Sequence, residues 1–410
     1  MLGLARCLCV DLSIWSERSP SVAGPNACDL IGALSCTVSV LSRKWVGDAP
    51  TVIWEREMDE QSIQNEVILG VDTHLDVNVG AVISHTGKLL GTLATATNTK
   101  GYLELLTWAR SLGCLRRAGV EGTGTYGAGL ARVLRGQGID VFEVNRPDRS
   151  KRRLKGKSDP TDAESAARSV LAGEATSIAK TQSGAAEAMR TISVARRSAV
   201  KAKTQAINQL RAILVSAPQE IRERLLKSKA DQCVAACARL RQLGETPLLQ
   251  TLTTTLRLLA KRWLTLTAEL KELDAALEKL TTQFAPHLRE QFGVGPQTAA
   301  MLIAVAGDNP ERLRNEAALA ALCGVNPLPA SSGKTIRHRL NRGGDRQANN
   351  ALWTIAMVRM RSEPRTRAYV QRRSTEGMSN KEIHRCLKRY LIRELYPCIL
   401  ADLRVTAVMP

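Results

Sequence analysis

Val67-Ile68-Leu69-Gly70-Val71-Asp72-Thr73-His74 opens the ordered pattern of this chain, an apolar β-forming run that ends on an acid. A carboxylate directly after such a run is costly to bury without a partner, so its position calls for a reason. Two more β-rich runs follow, Asn78–Ile83 and Lys88–Ala96, joined by Ser84-His85-Thr86-Gly87. Runs separated by a short glycine-containing loop read as a hairpin. The pattern then predicts an amphipathic helix over about Gly101–Leu112, a strand ending at Val120-Glu121, a helix near Gly127–Arg135 and a strand over Ile139–Val144. Three strands followed by alternating helix and strand make a mixed α/β sheet.

Beyond that sheet lies a basic loop in which Arg146, Arg149, Lys151, Arg152, Arg153, Lys155 and Lys157 fall within twelve residues. It leads into Ser158-Asp159-Pro160-Thr161-Asp162, where proline just inside the start predicts a helix, running to about Leu171. Residues 183 to 284 read as helical, broken near Ser216-Ala217-Pro218 and Gly244–Pro247. Leu252, Leu256, Leu259, Trp263, Leu266, Leu270, Leu273, Leu277, Leu280 and Phe284 alternate spacings of four and three, and Pro286 stops the run. A heptad seam of that length predicts a coiled coil, within one chain or between chains, with a helix packed on its own domain as the alternative. Gly293-Val294-Gly295-Pro296 ahead of an apolar helix, Gln297–Ala306, reads as a helix-hairpin-helix-like segment whose turn could present N–H groups to a phosphate. After it come Pro329-Ala330-Ser331-Ser332-Gly333-Lys334, a basic stretch with Arg337, Arg339, Arg342 and Arg346, and helices to about Leu395.

The chain therefore divides into an extension over 1–65, an α/β domain over 66–180, a helical region over 181–286 and a mostly helical C-terminal domain over 287–400. The extension holds 5 basic and 8 acidic residues and shows no clear period, so it reads as weakly ordered or as an over-long start, with Met58 as the alternative start. The whole chain has 58 Lys+Arg against 39 Asp+Glu, a net charge of +19, so residues 66–410 carry +22. An excess of that size points to a polyanionic partner, nucleic acid before an anionic membrane surface. No apolar run approaches the roughly 20 residues that span a bilayer, and Arg6 and Asp11 spoil a secretory signal, so a soluble intracellular protein is expected. Ten cysteines are scattered, and in a reducing compartment they read as buried small hydrophobes. Aromatic residues make up 3%, which leaves little for base stacking and favours backbone and shape recognition of nucleic acid.

Chemistry centres on the acids. Asp72 and Glu121 each end a strand run, and Asp159 and Asp162 lie three apart at a helix start, where one face can present both. Four carboxylates meeting at one end of a sheet would hold two divalent ions, and hard oxygen donors suit Mg²⁺. Each acid also has a plainer reading: Asp159 and Asp162 favoured by the helix dipole, Asp72 at a strand end, Glu121 facing solvent beside Gly122. Their order favours the sharper one: strand acid, hairpin, strand-end acid, then a helix carrying the last two directly after a basic loop. That order is the ribonuclease-H-like plan for cutting or joining nucleic acid strands.

Ile68 to His74, Val120-Glu121-Gly122-Thr123-Gly124, Lys157 to Ala163, Gly293 to Pro296, Pro329 to Lys334 and Asn341-Arg342-Gly343-Gly344-Asp345-Arg346 together resemble the DEDD transposases of the insertion-sequence 110 (110/1111) group. The resemblance covers about residues 66–400, in the family's order and spacing. It implies a RuvC-like domain with a Mg²⁺-binding tetrad matched by Asp72, Glu121, Asp159 and Asp162, a coiled-coil bridge, and a C-terminal domain whose serine nucleophile is matched by Ser332, with Ser331 as the neighbouring alternative. It further implies an RNA-guided recombinase that pairs a structured non-coding RNA with donor and target DNA, works as a dimer or tetramer, and resides in the bacterial cytoplasm at the nucleoid. Left to residue type alone, Ser331-Ser332-Gly333 would be a flexible turn. The basic loop with Lys334, Arg337, Arg339, Arg342 and Arg346 reads as phosphate-contacting, or more plainly as solvated charge. Two further readings remain at this stage, a hydrolytic Holliday-junction-type nuclease and an inactive nucleic-acid-binding remnant.

Overall fold

The computed structural model describes residues 65–144, 158–335 and 338–408, with side chains to Arg404. Its sheet holds β1 (Glu66–Thr73), β2 (Val77–Ser84), β3 (Leu89–Ala96), β4 (Cys114–Glu121) and β5 (Asp140–Val144), with α1 (Thr99–Ser111) between β3 and β4, α2 (Ala128–Gly136) between β4 and β5, and α3 (Asp159–Leu171) after β5. The strands lie in the order β3-β2-β1-β4-β5. β1 and β2 pair antiparallel, as do β2 and β3, whereas β1, β4 and β5 run parallel. The mixed sheet expected from the sequence is present, and the Ser84–Gly87 loop closes its β2–β3 hairpin, with Gly87 at φ 84° as a tight turn requires.

β1 is the central strand and is covered on both faces, which is why it reads as a continuous apolar run. Leu69 and Val71 pack with Leu105, Leu106, Leu130 and Leu134 of α1 and α2, while Ile68 packs with Ala166, Ala167 and Val170 of α3. Glycine decides how close α3 comes. Gly70 and Gly119 are cross-strand partners, and a Cβ on Gly70 would stand 2.0 Å from the Ala163 carbonyl oxygen and one on Gly119 2.7 Å from that of Ala166. The bare glycine pair lets the first turns of α3 lie against the C-terminal end of β1.

After α3, the chain runs along the free edge of β5: Glu143 N–H donates to Ser177 O and Ala179 N–H to Val141 O. The same short strap is tied to the C-terminal helices, where Lys180 Nζ donates to Ala304 O (2.8 Å), Arg312 Nε to Ile178 O (2.7 Å) and Asn309 Nδ2 to Ala179 O (3.3 Å). Covering an edge in this way also removes a template for unwanted strand pairing.

The helical region comprises α4 (Ala185–Val215), α5 (Gln219–Leu225), α6 (Ala230–Ala238) and α7 (Pro247–Phe284). α4 and α7 pack along each other within the chain. The heptad seam is buried unevenly: Leu252, Leu256 and Trp263 join a core with Leu210, Leu214, Cys233 and Cys237, Leu277 enters the C-terminal core, and Leu266, Leu270 and Leu273 between them are only half-buried. Burial pushes the Cys237 thiol up to about 12, so it stays protonated as a core residue. The expected breaks near 216–218 and 244–247 are present, the second beginning at 239, and a further break lies at 226–229.

The C-terminal body is α8 (Pro286–Arg289), α9 (Pro296–Ala306), α10 (Glu316–Leu322), the two-stranded pair β6 (Pro327–Pro329) and β7 (His338–Leu340), then α11 (Arg346–Ser362), α12 (Pro364–Thr375) and α13 (Asn380–Val408). α9 is apolar on every side and sits at the centre of this body, as an all-round apolar helix must. Arg359, buried beside it, forks onto both carboxylate oxygens of Glu394 and donates to Phe292 O. α13 continues through Pro397 to Val408, beyond the expected end near Leu395. No helix among the described residues is long and apolar enough to cross a membrane.

Candidate active site

Asp72 lies near the end of β1 on the face that Gly70 turns towards α3, since alternate residues of a strand share a face. It is buried. Val71 and Val120 are cross-strand partners, so Glu121 stands one step further along β4, at the same end of the sheet as Asp72. Thr73 Oγ1 donates to Glu121 O (2.8 Å) and laces the two strand ends together. On the opposite side, Ser158 is extended, Pro160 occupies the first turn, and α3 presents Asp159 and the buried Asp162. Burial raises the Asp72 carboxyl above its usual range, His74 opposes this, and the nearby carboxylates of Asp159 and Asp162 raise it further. Three of the four expected acids are thus in electrostatic contact, with Glu121 on the adjoining strand end. Like charges gathered beside a buried carboxylate are the arrangement a divalent cation relieves.

His74 was not among the residues singled out from the sequence. Its Nε2 is 3.3 Å from Asp72 Oδ2 and 3.6 Å from Asp159 Oδ2, and the donor atoms of Asp72, His74 and Asp159 all lie within 4.8 Å of one another. The signal available was Asp-x-His at a strand end, where residues two apart point the same way.

Ser332 sits at the tip of the β6–β7 hairpin. Ser332 N–H donates to Thr335 O and Thr335 N–H to Ser332 O, both 3.1 Å, around a turn with Gly333 at φ 53°. Glycine at the first central position is what a tight turn of this kind selects. Residues 331–335 are exposed. The Asn341–Arg346 motif builds the base of this arm. Asn341 Nδ2 donates to Ala321 O (3.0 Å) and Asn326 Oδ1 (2.8 Å), and its Oδ1 accepts from Gly343 N (2.9 Å). A Cβ on Gly344 would meet Gly324 N at 2.2 Å, and Asp345 caps α11 by accepting from Gln347 N and Ala348 N. These short strands are invisible in the residue pattern, because a three-residue run that begins and ends in proline carries no measurable alternation.

At the Gly293–Pro296 turn, Gly295 N–H donates to Thr298 Oγ1 and Val294 N–H to Gln291 O, which occupies part of the donor set expected to face a phosphate. Lys334, Arg339, Arg342 and Arg346 are all exposed on or beside the serine arm. Arg337 and the basic loop with Arg146, Arg149, Lys151, Arg152, Arg153, Lys155 and Lys157 lie outside the described residues. Sequence reading missed a cleft of about 370 Å³ at the base of the arm, lined by His338, Arg339, Arg385, Lys388 and Arg393 among others. Burial, and then Arg385, lower the Lys388 ammonium below its usual range.

Residues 69–217 match a transposase family of the DEDD, IS110 type, and residues 285–371 match the transposase IS116/IS110/IS902 family. The chain is 32% identical over 126 residues to the insertion element IS110 uncharacterized 43.6 kDa protein of Streptomyces coelicolor, covering 30% of each. It is also 27% identical over 144 residues to the insertion element IS900 uncharacterized 42 kDa protein of Mycobacterium paratuberculosis, covering 34% of this chain and 35% of that one. The matched stretches span about a third of the length of these curated relatives.

Proposed function

We propose that this chain, which belongs to the IS110 family of transposases, cuts and rejoins DNA strands as the recombinase of its own insertion sequence. The observation that carries the reading is the meeting of Asp72, Asp159 and Asp162 beside the strand end of Glu121, on a sheet whose order and polarity are those of the ribonuclease-H-like plan. The donor set fits a divalent cation: the carboxylates of Asp159 and Asp162 crowd the buried Asp72, and donor atoms of Asp72, His74 and Asp159 lie within 4.8 Å of one another. Asp72, Glu121, Asp159 and Asp162 would hold Mg²⁺, which when bound supplies Lewis-acid stabilisation of charge on phosphate oxygens.

Ser332 is the nucleophile in this reading. Its Oγ attacks a DNA phosphorus and gives up its proton, a P–Oγ bond forms, and the P–O bond to one deoxyribose breaks as that oxygen takes up a proton. The link preserves the phosphodiester's free energy, so a hydroxyl of the exchanged strand can attack the same phosphorus and release the serine. An exposed arm suits a nucleophile that meets carboxylates from a second copy, in a dimer or tetramer. The exposed Lys334, Arg339, Arg342 and Arg346, together with the net positive charge, support backbone contacts to donor and target DNA and to a structured guide RNA from the same element.

The test incubates the full chain with Mg²⁺, the element's flanking RNA and labelled donor and target DNA, and looks for protein-linked DNA on a denaturing gel. An adduct that needs metal and RNA and vanishes in Ser332→Ala is the expected result. An adduct that persists moves the nucleophile to Ser331. Free cut ends without an adduct replace the reading with a hydrolytic nuclease, and binding without cleavage replaces it with an inactive remnant.

A further inference from the structure

We propose that His74 is a ligand of the cation held by Asp72 and Asp159, giving the centre a nitrogen–oxygen donor set that favours first-row transition ions such as Mn²⁺ over Mg²⁺. The inference rests on the carboxylate reading above and adds a donor that the tetrad does not contain.

The backbone of His74 is fixed on both sides: its N–H donates to Val77 O (3.2 Å), and its carbonyl accepts from Thr97 Oγ1 (3.0 Å). With the main chain anchored, the imidazole is delivered to the same side as Asp72, two residues earlier. Nε2 then lies 3.3 Å from one carboxylate oxygen of Asp72 and 3.6 Å from one of Asp159. Ligands on adjacent corners of an octahedron with bonds of about 2.1 Å stand about 3 Å apart, close to this spacing.

A simple His74–Asp72 ion pair accounts for the proximity and leaves one fact over. Nε2 itself is enclosed, although the side chain is 44% exposed, and a single proton there can be given to only one of the two carboxylate oxygens that face it. A shared cation satisfies this nitrogen and both carboxylates together. Mg²⁺ takes oxygen donors and gives up its water reluctantly, whereas the first-row transition ions also accept imidazole, Mn²⁺ the most weakly of them. One nitrogen among the oxygens therefore changes which ion is preferred.

Titration calorimetry of the full chain with Mn²⁺ and with Mg²⁺, and pulsed electron paramagnetic resonance of bound Mn²⁺, test this without DNA or turnover. The wild-type chain is expected to bind Mn²⁺ at least ~10-fold more tightly than Mg²⁺, and to show a nitrogen hyperfine coupling. In His74→Gln the coupling should vanish and Mn²⁺ binding weaken by about tenfold, while Mg²⁺ binding changes far less. Asp72→Asn is the control for the carboxylate reading and should lose both ions. Bound Mn²⁺ without a nitrogen coupling overturns the role of His74 and leaves the carboxylates standing. Equal or tighter Mn²⁺ binding in His74→Gln also overturns it, because the imidazole would then be a stand-in cation that the metal displaces. A wild-type chain that binds neither ion overturns both readings.

Discussion

Asp72 stands near the end of a strand whose eight residues are all buried, whereas Ser332 stands at the tip of an arm whose two strands have three largely exposed residues each. Around Asp72, position follows from packing: the Gly70–Gly119 pair admits α3, and α3 brings Asp159 and Asp162. Around Ser332, it follows from a few hydrogen bonds at the base of the arm, chiefly those of Asn341. A metal centre needs donors fixed to fractions of an ångström, and a core supplies that. A nucleophile that must reach a DNA strand, and in our reading another subunit, is better placed on an arm with few tertiary contacts. The cost of disturbing either should therefore differ in kind.

Gly70→Val should show the largest effect. Its side chain would run into the backbone of α3, so destabilisation of about 3 kcal/mol or more is expected in thermal or urea unfolding. A variant as stable as the parent would mean that α3 can lift from the sheet, and the contrast with the serine arm would fail. Asn341→Ala comes next, at about 1–3 kcal/mol for the groups left unpaired. Its signature should be local: faster proteolysis within residues 327–340 and loss of the DNA adduct, with divalent-ion binding on the sheet unchanged. Loss of ion binding as well would show that the two regions are coupled more tightly than their packing suggests. Ser332→Ala should be smallest in stability, within about 0.5 kcal/mol, because the residue is exposed and the hairpin bonds are main-chain.

The same contrast explains what could be read in advance. β1, the β2–β3 hairpin, β4, β5 and α3 were legible because burial writes itself into runs of apolar residues and because Asp-Pro marks a helix start. The three acids that meet were legible for the same reason, each being tied to the end of an element. The serine arm was legible only through its motif, since a hairpin with prolines in a three-residue strand has no period to detect. His74 escaped because Asp-x-His at a strand end is a weak signal by itself, and only the approach of α3 gives it a second carboxylate. The extension of α13 past Leu395 was hidden by Pro397, which ordinarily ends a helix and here lies within one.

The strap beside β5 has a consequence for protein engineering. Residues 177–180 complete the sheet through Val141 and Glu143, and are clasped by Asn309 and Arg312 from the C-terminal body. A chimaera that joins the sheet of one transposase to the helices of another inherits a mismatched clasp wherever it is cut near residue 180. Swaps should carry Lys180, Asn309 and Arg312 as one inherited unit, so that the smallest exchangeable module includes both the edge of the sheet and the helices that clasp it.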